Sequence, residues 1–167
     1  MKFAKIRDVK SPSRGTSKSS GIDFYVPNGT EEYLAVFAEK NPLCRINEMG
    51  CEIPKHCRAF IPSGIKVAVP EGYDLVAHNK GGVAVKKGLI FGAQVVDEDY
   101  EGEVFISIIN TCDFSVWLEW GEKITQMILR EVNYEFPEEC TIEELQEIYK
   151  QRGSERGEGA LGSTGNK

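Results

Sequence analysis

Three short stretches of this sequence gather the side chains that could do chemistry. The first is Val95-Val96-Asp97-Glu98-Asp99-Tyr100-Glu101-Gly102-Glu103-Val104, where five acids surround a tyrosine between two apolar runs. Charge runs are ordinarily solvated faces. Asp97, however, closes the apolar stretch from Ala93 to Val96, and partial burial there would tune a carboxylate as a general base. The second stretch is His78-Asn79-Lys80-Gly81-Gly82-Val83-Ala84-Val85-Lys86-Lys87-Gly88. Paired glycines let backbone approach a ligand, and three lysines supply charge, although the same composition describes many hairpin loops. The third is the tail Gly157-Glu158-Gly159-Ala160-Leu161-Gly162-Ser163-Thr164-Gly165, preceded by Arg156. It lacks the lysine that a Walker A loop needs before Ser163, and the strand–loop–helix setting as well. Glycines with Ser163 and Thr164 can still wrap a phosphate through N–H groups and hydroxyls, with Arg156 as a bidentate clamp.

Such groups need elements to position them. From Ile53 to Val132 short β-rich runs recur: Ala59–Ile61, Ile65–Val69, Asp74–Ala77, Val104–Ile109, Ser115–Trp120 and Ile124–Leu129. Turn residues separate them at Pro62-Ser63-Gly64, Pro70-Glu71-Gly72, Gly81-Gly82, Glu101-Gly102 and Trp120-Gly121-Glu122. Many short strands at this spacing predict an all-β sandwich, barrel or jelly roll. Two segments carry the helical period instead. Thr30 to Lys40 has an N-cap residue, acids in its first turn and Tyr33, Leu34, Phe37 and Ala38 on one face. Thr141-Ile142-Glu143-Glu144 is a capping box, followed by Leu145, Ile148 and Tyr149. Both helices are expected to be peripheral. Residues 1–151 read as a single domain and 152–167 as a glycine-rich arm, for which composition alone favours a frayed end.

Bulk properties exclude several classes. At 167 residues the chain suits one domain with a real core. Its 26 acids against 20 lysines and arginines leave a net charge of -6. A chain of that sign without a basic stripe is not expected to bind nucleic acid. A small anion is another matter, since a few local cations and amides suffice. Met1-Lys2-Phe3-Ala4-Lys5 leads into charge, so no secretory signal is expected, and the longest nearly apolar run, Gly88 to Val96, is too short for a membrane span. Five cysteines, widely spaced and odd in number, fit reduced thiols and a cytoplasmic location. Cys51, His56 and Cys57 lack a Cys-x-x-Cys pair, so packing is expected there rather than zinc.

Taken in order, the pieces resemble the trimeric dUTPase family, which carries five short motifs along one β-rich domain. Ser20-Gly21-Ile22-Asp23-Phe24-Tyr25 is similar to the first. Lys80-Gly81-Gly82-Val83-Ala84 occupies the second, after a lead-in at Ile61–Ile65 and Pro70–Tyr73. Val96 to Val104 resembles the third, Gly121-Glu122-Lys123-Ile124-Thr125-Gln126-Met127-Ile128-Leu129 the fourth, and Arg156 to Gly165 the fifth. The resemblance implies a distorted jelly-roll homotrimer with short peripheral helices, whose sites form between subunits and whose C-terminal arm closes over a deoxynucleoside triphosphate. It implies hydrolysis of dUTP to dUMP and pyrophosphate with Mg2+. By position Asp97 would activate the attacking water and Tyr100 would pack on the deoxyribose. Asp23 would hold a water of the magnesium. Lys80, Gln126, Arg156, Ser163 and Thr164 would contact phosphates, with Gly81, Gly82, Leu161 and Gly162 completing the substrate site. One base, one metal and charge compensation are what the reaction needs.

The departures are specific. The second motif usually reads Arg-Ser-Gly, and here a glycine, Gly81, stands in the serine's place. Leu161 replaces an aromatic over the base. The loop from Gly82 to Asp97 is shorter than usual and puts Phe91 where an asparagine often lies near the base. Residues 30–51 look like an insertion. These changes keep two alternatives open: a related pyrimidine deoxynucleotide enzyme (a dCTP deaminase-like protein or a modified-base pyrophosphatase), or a non-catalytic nucleotide-sensing protein. Against deamination stand the third and fifth motifs.

Overall fold

The computed structural model describes residues 1–153 and 157–159. The chain divides into two compact units, Met1–Asn133 and Tyr134–Lys167. The first unit contains strands β1 (Lys2–Lys5), β2 (Ile22–Tyr25), β3 (Arg45–Asn47), β4 (Gly50–Ile53), β5 (Arg58–Ala68), β6 (Tyr73–His78), β7 (Leu89–Phe91), β8 (Val95–Val96), β9 (Glu103–Asn110), β10 (Val116–Glu119) and β11 (Lys123–Glu131). Helix α1 (Glu31–Lys40) follows β2, and α2 (Gly81–Lys87) follows β6. The strands make three sheets, ordered β1-β5-β9-β7, β10-β4-β3 and β2-β11-β6-β8. This is the expected all-β architecture.

Alternation drives the core. Along β9 every second residue from Val104 to Asn110 is buried, as a sheet with one wet face requires. Ile61, Ile65, Leu75, Leu89, Ile106, Ile108, Leu118 and Ile124 are among the fully buried side chains. Two sequence expectations need correction. Pro62-Ser63-Gly64 does not turn the chain; it is a bulge within β5, where the register on β9 shifts between Pro62 and Lys66 and Gly64 takes φ 72°. Bulge and turn call for the same residues, because both need a left-handed or kinked backbone. Gly81-Gly82 opens α2 rather than a hairpin. That helix stands because Val83 is buried and Gly88 caps its end in the left-handed conformation.

Residues 30–51 form α1, β3 and the start of β4. Thr30 caps α1 by accepting from the Tyr33 amide, and Tyr33 and Phe37 pack edge-on against Trp120, with ring centroids 5.5 and 5.3 Å away. The Tyr33 hydroxyl is buried with no partner among the described residues. A buried polar group left unpaired costs about 1–3 kcal/mol, so Tyr33→Phe should stabilise the protein by about that much. In a chain of this size each kcal/mol raises the melting temperature roughly 2–4 °C. Calorimetry showing a lower melting temperature would mean that the hydroxyl is bonded.

In the second unit the expected capping box of α3 (Ile142–Arg152) is complete, with Thr141 and Glu144 capping each other. None of the helix's residues is buried. All five cysteines are free thiols, and among the described residues no helix is long and apolar enough to cross a membrane.

Candidate functional site

The short strand β2 turns Asp23 inward, leaving it 4% exposed. Its Oδ1 lies 2.9 Å from Lys80 Nζ and its Oδ2 2.7 Å from Lys123 Nζ. Burial works against the Asp23 charge, but the bonds from Lys123 and Lys80 outweigh it and hold the carboxyl below its ordinary range. The Lys123 ammonium is stabilised in turn by the hydrogen bond it donates to Asp23.

The neighbouring strands bring the rest. β11 pairs Gln126 with Asp23 on one side and with His78 on the other. Gln126 Nε2 donates to the Asn79 carbonyl over 2.9 Å. Asn79 is itself pinned, its Oδ1 accepting from the Phe91 amide at 2.9 Å. The Thr125 hydroxyl donates to the His78 carbonyl at 3.1 Å. Asp23, Lys80 and Gln126 therefore meet, as the motifs imply, with Gly81 and Gly82 exposed at the head of α2. Sequence reasoning assigned no role to Lys123. The signal was a lysine at the head of an apolar strand, but the strand pairing that brings it to Asp23 is not written in the local sequence.

The acidic hairpin sorts into two kinds of acid. Glu103 is structural: it accepts from Arg7 through both carboxylate oxygens and from the Gly64 amide. Glu98 accepts from the Gly72 amide. Asp97 is exposed, and its side chain takes no ion pair among the described residues. The expected partial burial is not found in the single chain, because β8 is two residues long and lies at the sheet edge.

The Tyr100 amide donates to the Asp97 carbonyl at 3.2 Å and its hydroxyl to the Glu103 carbonyl at 2.9 Å. These bonds set the ring beside a cleft of about 210 Å³ that Asp97, Ala93, Val95 and Phe105 also line. Phe105 is stacked on Phe60 with centroids 4.5 Å apart. An apolar hollow with one carboxylate and one aromatic wall suits the face of a sugar or a base. Phe91 does not line it: the residue is 7% exposed and belongs to the core.

One chain does not bring the two groups together. β8 pairs Val95 with Val76 and Val96 with Leu75, so Asp97 lies level with Asp74, whereas Asp23 lies on the row of His78. That offset is four residues along the sheet and three strands across it, roughly 20 Å in all at the usual spacings. Arg156, Leu161, Gly162, Ser163 and Thr164 lie outside the described residues.

Known proteins share this sequence pattern and this fold. The sequence model of the dUTPase family matches residues 46–165, beginning within β3. The deoxyuridine 5'-triphosphate nucleotidohydrolase of Candida albicans is 31% identical over 157 residues, covering 93% of this chain and 81% of the relative. Its counterpart in Debaryomyces hansenii is 32% identical over 164 residues, covering 98% and 85%. Among solved structures, a mutant of the Staphylococcus bacteriophage 80alpha dUTPase with dUpNHpp superposes with a TM-score of 0.71 at 21% identity, covering 98% of this chain and 97% of that one. The Streptococcus mutans dUTPase gives a TM-score of 0.61 at 24% identity, covering 81% and 98%. At these identities the structural likeness concerns the fold.

Proposed function

The chain belongs to the dUTPase family, and we propose that it hydrolyses dUTP to dUMP and pyrophosphate as a homotrimer, in a cytoplasm that keeps its five thiols reduced. The observation that carries this reading is the division of labour between two acids: Asp23 buried under two lysines, Asp97 exposed beside an aromatic wall. Asp97 takes the proton of the attacking water. The water oxygen bonds to phosphorus, and the bridging P–O bond breaks with its electrons leaving on pyrophosphate. Tyr100 lies against the deoxyribose and leaves a 2′-hydroxyl no room. Lys80 and Gln126 hold phosphate oxygens, and Arg156, Ser163 and Thr164 close on them from the arm. Because Asp97 and Lys80 are far apart within one chain, a complete site takes them from different subunits, and the resemblance to the trimeric dUTPase family makes three the number we assign; sedimentation as a monomer or a dimer at working concentrations would overturn that assignment.

Within one chain the described side chains do not form a seat for a resident magnesium ion. No three His, Cys, Asp or Glu residues converge among them, and both Asp23 oxygens face ammonium groups. Magnesium favours waters, a carboxylate or two and substrate phosphates. Here the triphosphate supplies the oxygens, and the ion enters with the nucleotide as part of the substrate. Asp23 as the holder of a magnesium-bound water gains no support from its contacts.

Incubation with each deoxynucleoside triphosphate and Mg2+, followed by product separation, tests the activity. dUMP and pyrophosphate from dUTP are expected. Deamination of dCTP, or no turnover of any of them, would refute the proposal.

Two substitutions follow from the packing. A Cβ at Gly21 would lie 2.5 Å from Gln126 Oε1 and 2.7 Å from Gln126 Cβ, so Gly21→Ala must push the glutamine off its place. Loss of one such hydrogen bond, about 1.4 kcal/mol, lowers turnover roughly tenfold; unchanged turnover would show that Gln126 is not needed where it stands. Gly81 is the opposite case. An added Cβ there meets nothing within 4 Å among the described residues, and Gly81 is not among the left-handed glycines. A serine fits without strain and restores a hydroxyl for the phosphate under attack. A hydrogen bond to a charged group contributes about 1.5–3 kcal/mol, so Gly81→Ser should raise single-turnover rates on dUTP roughly ten- to hundredfold. A drop of more than tenfold in a folded variant would contradict this.

A further inference from the structure

Lys123 is the residue of the Asp23 cluster that the five motifs leave without a task. One buried carboxylate needs one cation for neutrality, yet Asp23 has two, one on each oxygen. A third, Lys10, stands with its Nζ 5.6 Å from the centroid of Tyr25, the ring that Lys123 also overlies at 5.7 Å. Two ammoniums on one carboxylate leave a local positive charge, in a chain of net charge -6, that an incoming anion can share. The Lys80 side chain is 31% exposed and that of Lys123 37%, and each ammonium has three donors. Both can therefore keep Asp23 and still donate outward. Gln126, which pairs with Asp23 in register, extends the same row.

Resting on the reading that a nucleoside triphosphate binds here, we infer that Lys123 contacts the substrate's phosphates together with Lys80, and that Asp23 is a positioning residue whose carboxylate holds the two ammoniums side by side. On this account Asp23 serves the cations and not a metal. A buried carboxylate fixes two flexible lysine chains in one geometry before the ligand arrives, which lowers the ordering cost of binding. It also separates the ammoniums to opposite oxygens, so that two different phosphate oxygens are met at once.

Calorimetric titration of the full chain with dUpNHpp, in excess EDTA and again with Mg2+, distinguishes these roles. Lys123→Gln and Asp23→Asn should each weaken binding about tenfold or more in both media, while Lys123→Arg keeps it within about threefold. The Mg2+ concentration that half-saturates turnover should not move in any variant. Lys123→Gln binding as tightly as wild type would overturn the role of Lys123. Asp23→Asn that binds normally in EDTA but needs more Mg2+ would return Asp23 to the metal. Should Asp23→Asn fail to fold, Lys123→Gln, with a partly exposed side chain, still decides the cradle. Titration with inorganic triphosphate separates this proposal from the one beneath it. A wild type that binds triphosphate but not dUpNHpp keeps the cradle and loses the nucleotide reading; one that binds neither loses both.

Discussion

Asp97→Asn should lower turnover of dUTP by about 10²–10⁴-fold, the contribution of a positioned general base, and leave the affinity for dUpNHpp nearly unchanged. The amide is the size of the carboxylate and cannot take a proton from water. The surroundings make this a clean test. The Asp97 side chain has no ion pair to lose among the described residues, and the turn that presents it is held by the Tyr100 amide on the Asp97 carbonyl, which the substitution leaves in place. Two of its acidic neighbours are committed elsewhere, Glu103 to Arg7 and the Gly64 amide, Glu98 to the Gly72 amide, and so are poor substitutes. Single-turnover rates within threefold of wild type would remove Asp97 from the chemistry.

How much of this was legible beforehand depends on the range of the interaction. Local rules were read directly. Thr30 and Thr141 announce their helices because a hydroxyl at the cap satisfies an amide that the helix leaves free. The runs of β9 and β11 announce strands by their β-rich composition between turn residues. Where two local rules share residues, the sequence was ambiguous. Pro62-Ser63-Gly64 serves a bulge as well as a turn. Gly81-Gly82 opposes a helix by propensity, yet burial of Val83 and the left-handed cap at Gly88 override it. Long-range contacts were not legible from spacing. Lys123 reaches Asp23 only because β11 lies beside β2, and Phe91 points into the core because β7 pairs with β9. The resemblance supplied the positions of Asp23, Lys80, Gln126, Asp97 and Tyr100. What each side chain touches came from the fold.

A chain ending at Gly153 should fold and assemble as the full protein does, yet hydrolyse dUTP at least about a hundredfold more slowly. The stability half of this expectation follows from where the core lies. Among the described residues every buried core residue falls between Val9 and Met127, within the unit Met1–Asn133, and α3, which the truncation keeps, buries none of its own residues. The truncation therefore leaves all of those buried side chains in place. The kinetic half follows from chemistry. The removed segment carries Arg156, Ser163 and Thr164, and the phosphate contacts proposed to remain, Lys80, Gln126 and Lys123, all belong to the group around Asp23. Two hydrogen bonds to charged oxygens contribute about 3 kcal/mol or more, which is roughly two orders of magnitude in rate when they form only around the closed substrate. The readout is paired: melting temperature and sedimentation should stay near wild type while single-turnover rate collapses. A truncated protein that works at near-normal speed would show that the group around Asp23, with its extra lysine, carries the phosphates unaided.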